Sequence, residues 1–394
     1  MSQLAAIKQA SALGWRVIAV DADPQAVGFA AADVAETVDF TDLDRVVEVG
    51  LRHRIDAVVA ISTDRAVPIA AGVADRLGLP GIGTATARVM TDKAAMRTRL
   101  REHAIPQPDF AVLSGEVESS RDLEAVGFPA VLKPVDSGGQ RGLYRISNQR
   151  ELAERLPHTL AHSRSERAML ERYIDGYELN GIVVTRDGNP TLLTLSDRLR
   201  PPGPGFGVGW IHRYPSQLEP TRIRSASKIA VDAVRALGLR NGIAFPQLLI
   251  TDAGEVLVVE VAARIPAGQM ADLVRLGTGI DLVEIALAQA IGQPISDAMI
   301  EPRFHRPIAI RFLTASPGIL PLGRVVSVTG LERVRAARGV LQADLYIQVG
   351  ETIHPVQVDA DRRGYVIATA DNANTALELA QQATHELHVA VERS

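Results

Sequence analysis

The stretch Pro129-Ala130-Val131-Leu132-Lys133-Pro134-Val135-Asp136-Ser137-Gly138-Gly139-Gln140-Arg141-Gly142-Leu143-Tyr144-Arg145-Ile146-Ser147 decides how this chain is read. Residues 129–134 are apolar and strand-length, and residues 143–147 predict a returning strand. The glycines between them let backbone N–H groups approach a polyphosphate closely, and the hairpin setting makes the turn a lid. No Gly-Lys-Ser/Thr closes the turn and a strand follows it, so it is neither a Walker loop nor a dinucleotide fingerprint. Alone, a glycine-rich hairpin without a ligand fits equally well.

Three further features narrow the choice. Lys133 ends an apolar strand among Val131, Leu132 and Val135, where a charge is costly unless it is aimed at a partner. Lys93 heads a predicted helix over 92–103, at the end where the dipole favours an anion. The segment Glu171-Arg172-Tyr173-Ile174-Asp175-Gly176-Tyr177-Glu178 links two strands and offers backbone to a base edge and a carboxylate to a ribose diol. A surface hairpin with solvated acids is its plainer reading.

The fourth feature is a predicted hairpin, residues 243–250 and 256–262. A two-residue loop at Ala253-Gly254 sets Gln247 opposite Glu260 with Cβ atoms ~5 Å apart on one face. Such a pair suits Mg²⁺ shared with phosphate oxygens. A one-residue slip would put the two side chains on opposite faces. Arg264, past the strand end, is placed to neutralise a transferring phosphoryl group.

Composition sets the outer bounds. The chain has 394 residues, room for two or three domains. Its 42 Lys and Arg against 46 Asp and Glu leave a charge of −4, which argues against a nucleic-acid binder. Cysteine is absent, which excludes disulfides, a thiolate nucleophile and Cys-ligated metal. The longest apolar runs, at 55–62 and 256–263, fall far short of the ~20 residues of a membrane span. The N-terminus lacks the pattern of a signal peptide and reads as an amphipathic helix. A cytoplasmic protein is expected.

Along the chain, residues 16–21 and 55–62 read as strands, and 43–54 and 65–77 as helices, which requires crossovers and a parallel sheet. The strand and Gly-rich turn that normally open such a fold are missing; either the start is placed too late or the strand is dispensable. Further strands are expected at 168–172 and 177–185, and a helix capped by Asn148 runs to about 162. Residues 199–209 (LRPPGPGFGVG) hold neither helix nor ladder and read as a flap or long loop. Residues 226–237 read as helix. The last ~90 residues read as strands closed by an amphipathic helix over 374–392.

In this order and spacing, Thr91-Asp92-Lys93, the string 127–134 ending in Lys133-Pro134, Ser137-Gly138-Gly139, Glu171 to Glu178 and Glu260-Val261-Ala262-Ala263-Arg264 resemble the ATP-grasp superfamily. The likeness covers nearly the whole chain. His212-Arg213-Tyr214-Pro215-Ser216 is similar to its carboxylate–amine ligase branch, which includes the bacterial L-amino-acid ligases. The resemblance implies a mixed α/β and α+β architecture in three parts. These are a Rossmann-like domain over 1–90, a two-lobed ATP-grasp domain over 91–300 with a lid lobe at about 114–175, and a β-rich subdomain over 301–394.

The resemblance also implies roles. Lys93 and Lys133 would hold the α- and β-phosphates, with Ser137, Gly138, Gly139 and Gln140 closing over the β/γ end. Glu171, Arg172, Tyr173 and Ile174 would meet adenine, and Glu178 the ribose. Gln247 and Glu260 would carry Mg²⁺, with Mn²⁺ as the alternative ion. Arg264, with Lys133, would be catalytic. His212, Arg264 and Gly268 would wall the substrate pocket, with Arg198, Arg200 and Arg311 as candidate carboxylate clamps. The implied reaction is ADP-forming: a carboxylate takes the γ-phosphoryl of ATP and an amine displaces phosphate. Small-molecule substrates, amino acids in character, and a homodimer are expected, with no nucleic-acid or membrane partner. The family usually has glutamate at 247, asparagine at 262 and histidine at 245, where this chain has Gln247, Ala262 and Phe245. These departures predict weaker binding of a second Mg²⁺. They also keep open an inactive ATP-binding module, beside a carboxylase or phosphotransferase.

Overall fold

Strands Tyr177–Arg186 and Gly242–Ile250 are apolar on both faces, the pattern of a sheet covered from both sides. Ile182, Val184, Ile243 and Phe245 pack into one core with helices Met270–Thr278 and Leu282–Ala290. Leu179, Val183, Ala244 and Leu248 pack into another with helix Pro220–Ala236. The computed structural model describes residues 2–115, 121–200 and 207–392.

These strands lie in an eight-stranded antiparallel sheet. Its order is Val256–Ala262, Gly242–Ile250, Tyr177–Arg186, Asn189–Leu199, Ile211–Tyr214, Ile308–Phe312, Gly364–Thr369 and Val340–Leu345. A separate four-stranded sheet runs Phe110–Leu113, Ala168–Arg172, Ala130–Pro134 and Tyr144–Ile146, backed by helix Gln149–Leu160. The glycine turn joins the last two of these strands, so it hangs over the larger sheet. Side-chain caps start the helices where polar residues precede an apolar face. Asp92 accepts from Ala95 N, and Asn148 from Glu151 N.

At the N-terminus, Ile18–Asp21 and Val34–Thr37 form a two-stranded parallel sheet. Residues 55–62, expected as a strand, are assigned to no ladder. They are held otherwise: Gln3 brackets the Ile61 backbone, and Ser62 N donates to Ile265 O at 3.0 Å. The expected final helix is also shorter. Ala373–Ala383 is helical, and the alternating His388–Val391 instead pairs as a strand with Gly323–Thr329. Val389 and Val391 thereby reach a small apolar core that a continued helix would not serve. Of the expected loop at 199–209, residues 201–206 lie outside the described residues. Among the described residues, no helix is long and apolar enough to cross a membrane.

Candidate active site

Lys93, Lys133, Ser137, Glu171, Gln247 and Glu260 line one cavity between the two sheets. Its volume is about 150 Å³, below the ~300 Å³ of an ordinary ligand pocket. The glycine turn is held down from several sides. Lys93 Nζ donates to Ser137 O at 2.8 Å, Asp359 N–H reaches Gly139 O at 3.4 Å, and Gln140 packs on Gly207. Gly139 and Gln140 take left-handed φ of 71° and 69°, which turns the chain back sharply; of the two, only glycine does so freely.

Helix Lys93–Glu102 presents two cations one turn apart. Lys93 Nζ lies 3.0 Å from Glu260 Oε1. Arg97, 1 % exposed, binds Glu171 Oε1 at 2.6 Å and donates to the carbonyls of Val258 and Val259 at 2.5 and 2.8 Å. Glu171 Oε2 in turn holds Lys133 Nζ at 2.6 Å. Glu171 is therefore a brace between two cations on the wall of the cavity. Sequence reasoning missed Arg97. The available signal was its place between Met96 and Leu100 on the apolar stripe, where an unpaired charge does not survive.

The cations and acids set one another's charge. Burial pushes Glu171 up, but Arg97 and Lys133 outweigh it and bring the carboxyl down to about 2. Burial lowers Lys133, and Glu171 only partly offsets that, with Arg97 adding repulsion. Burial also acts to lower Lys93, yet Glu260 and Asp64 reverse the balance and hold it above the ordinary lysine value.

Gln247 and Glu260 are cross-strand partners, as expected. The turn differs: Thr251 N donates to Glu255 O at 2.9 Å, so three residues, not two, close the hairpin. A bulge between Gln247 and Leu248 on one strand, opposite Val258 and Glu260 on the other, restores the pairing. Arg264 Nε and Nη2 bind Asp64 Oδ1 and Oδ2 at 2.6 and 2.7 Å, a bidentate pair that the sequence did not suggest.

Glu178, expected at a ribose, is engaged by both Arg198 and Arg200. Ile174 lines the cavity. Arg172 and Tyr173 line it too; the Arg172 side chain pairs with Asp109 at 3.0 Å, and Tyr173 carries the Arg145 guanidinium 4.1 Å from its ring centroid. Arg311 lies over Trp210 and donates to Phe312 O at 2.9 Å. His212 and Gly268 adjoin: a Cβ built on Gly268 would stand 3.6 Å from His212 Nε2 and 3.2 Å from Arg362 Nη1. Arg362, which sequence reasoning also missed, lies over Phe312, and its Nε is buried without a partner.

The donor set fits ATP with Mg²⁺. Buried Lys133 and partly buried Lys93 would answer phosphate charge, and Gln247 and Glu260 offer one neutral and one anionic oxygen donor. No described group of three or more His, Cys, Asp or Glu is arranged to hold a metal alone. An ion here would complete its shell from phosphate oxygens and water, the habit of Mg²⁺. Bound there, it would draw charge from the phosphates.

A second cavity, of about 430 Å³, lies between the N-terminal part and the larger sheet, with Arg264 on its wall. It is lined mostly by aliphatic side chains. The charged residues gather in the smaller one.

The family model for the carbamoyl-phosphate synthase L chain ATP-binding domain matches residues 92–298, more than half of the chain. The chain is an ATP-grasp protein. A second model, L-amino acid ligase C-terminal domain 2, matches residues 311–392 and puts this ATP-grasp enzyme with the carboxylate–amine ligases. Among curated relatives, uncharacterized protein y4rH of Sinorhizobium fredii is 27% identical over 94% of this chain and 77% of its own. A formate-dependent phosphoribosylglycinamide formyltransferase of Ignicoccus hospitalis is also 27% identical, over 96% and 91%. The L-amino acid ligase of Bacillus licheniformis superposes with a TM-score of 0.82 at 22% identity, covering 98% of this ATP-grasp chain and 95% of that one.

Proposed function

We propose that this ATP-grasp enzyme is an ADP-forming carboxylate–amine ligase that joins small, amino-acid-like substrates through an acyl phosphate. The convergence of Lys93, Lys133, Gln247 and Glu260 on one cleft beneath the glycine turn carries the reading. Lys93 and Lys133 hold phosphate oxygens, and Gln247 with Glu260 holds Mg²⁺. Arg264 stabilises the phosphoryl group as it passes to the carboxylate and leaves it. Positioning and charge complementarity suffice for such transfer, so no side-chain nucleophile is needed. Glu178 reaches a ribose by sharing itself with Arg198 and Arg200, and His212 with Gly268 borders the carboxylate. The C-terminal match at 311–392 supports amino acids as substrates. We take the enzyme to be a cytoplasmic homodimer.

The formyltransferase relative supports a second substrate choice, in which the activated acid is a one-carbon carboxylate. Purified enzyme with ATP and Mg²⁺, offered all pairs of amino acids and then formate or bicarbonate, separates the two. ADP, free phosphate and a condensed mass are the expected products with an amino-acid pair. ADP without free phosphate identifies a phosphotransferase, and bound but uncleaved ATP an inactive module.

A further inference from the structure

We propose that Asp64 is the acid that receives the amine: it yields Arg264 to the phosphorylated carboxylate, then takes the nucleophile's ammonium group and one of its protons. The inference rests on the ligase reading. Asp64 opens the 3-10 turn Asp64–Ala66, far in sequence from the cleft, yet both its oxygens are bound to Arg264. It also abuts the glycine turn, because a Cβ built on Gly138 would stand 3.1 Å from Asp64 Oδ2. An acid lodged among the cations that a phosphoryl anion needs must compete with that anion. The Nε–Nη2 edge of Arg264 serves one bidentate partner at a time. When phosphoryl oxygens take that edge, a carboxylate is released beside the reacting carbonyl.

The other acids of the site are committed. Arg97 and Lys133 hold Glu171, Arg198 and Arg200 hold Glu178, and Lys93 holds Glu260. His212 stands in the field of Arg362 and Arg198, which repels an incoming ammonium. One unmatched group lies two residues before Asp64. Ser62 sits at a left-handed φ of 64°, and its hydroxyl is buried without a partner. Ile61, Ala263 and Arg264, the partner of Asp64, line the cavity of about 430 Å³, which has room for a small amine.

The step balances. The nucleophile enters as an ammonium ion and gives one proton to Asp64, freeing its lone pair. Nitrogen bonds the carbonyl carbon, and the carbon–oxygen bond to phosphate breaks with its electron pair. The second nitrogen proton leaves with phosphate as hydrogen phosphate.

Hydroxylamine, largely uncharged at neutral pH, attacks without shedding that first proton. With ATP, Mg²⁺ and each amino acid as the acid, the wild type is expected to form both hydroxamates and peptide bonds. Asp64→Asn is expected to lower peptide-bond formation about a hundredfold, the scale of a lost general base. Hydroxamate formation should stay within about threefold. Asp64→Glu, which keeps the charge, should recover ligation relative to Asp64→Asn. Equal loss of both products in both variants overturns the inference in favour of Asp64 merely orienting Arg264. Unchanged ligation in Asp64→Asn overturns it too. A wild type that forms neither product overturns the ligase reading itself, and this inference with it.

Discussion

Gln247 and Glu260 face each other because two local departures from a regular hairpin cancel. The three-residue turn shifts the register by one, pairing Leu248 with Val258, and the bulge shifts it back, leaving Val259 as the extra residue. Arg97 pins the bulge, since its guanidinium takes the carbonyls of Val258 and Val259. The same side chain braces Glu171 and, through it, Lys133. One buried arginine thus ties the hairpin of Gln247 and Glu260 to Lys133.

As the proposed metal carriers, Gln247 and Glu260 bring a single negative charge, which Lys93 partly neutralises at 3.0 Å. Gln247→Glu should therefore lower the Mg²⁺ concentration that half-saturates ATP turnover, by about tenfold for ~1.4 kcal/mol of added attraction. Glu260→Gln should remove Mg²⁺-dependent turnover. A Mg²⁺ titration of wild type and both variants checks this, and two tightly bound ions in the wild type would contradict the weak second site.

Removing Arg97 leaves a buried carboxylate with one partner and takes a donor from the carbonyls of buried Val258 and partly buried Val259. Arg97→Met should destabilise the protein by about 3–5 kcal/mol, the range for breaking a buried pair from one side. It should also weaken ATP binding, because Lys133 loses its brace. Urea unfolding and nucleotide titration measure the two effects. Stability within about 1 kcal/mol of wild type would show that the bulge holds itself.

The pairing of Gln247 with Glu260 was legible in the sequence, but for a reason that the hairpin does not obey. Alternation of apolar residues locates both strands. It cannot count turn residues or see a bulge, because both depend on where carbonyls find donors, here a helix about 160 residues earlier. The lysines and glycine turn were legible because each breaks a local rule: a charge on an apolar strand, a flexible loop inside a hairpin. Asp64 breaks none, lying in a polar stretch where an acid is ordinary, and only the fold brings it to Arg264. Residues 55–62 mislead for the opposite reason. Their pattern is that of a buried strand, yet of these residues only Ile61 is buried, Val59 is exposed, and the segment pairs in no ladder.

Glu171 ties stability to acid. Its carboxyl is held at about 2 in the folded protein against 4.5 ordinarily, so the folded form binds its proton later than the unfolded one. The stabilisation is fully present above pH 4.5 and is lost as pH falls toward 2. Glu171→Gln removes this group's dependence, so its unfolding free energy should vary less across that window, at lower stability overall. Parallel slopes for the two proteins in denaturant titrations would exclude Glu171 as a source of acid sensitivity.

His212 loses stability to acid with the same sign, in a window that begins at higher pH. Burial first, then Arg362 and Arg198, hold it well below its ordinary value of 6.5, so it is neutral in the folded protein near pH 6.5. Its Nδ1 lies 3.2 Å from Asn180 Nδ2, which fits an amide donating to an unprotonated nitrogen. The unfolded chain takes up the proton more readily, so the stability this neutral imidazole carries is complete above pH 6.5 and declines as pH falls through the lowered folded value. Imidazole resonances should show His212 unprotonated at pH 6, and His212→Asn should lose little of its stability between pH 7 and pH 6. A His212 signal titrating at 6.5 or above would mean that the two arginines are not where its proton would sit. An anion added between those arginines should raise the His212 value, which makes the same resonance a reporter of carboxylate binding beside Gly268.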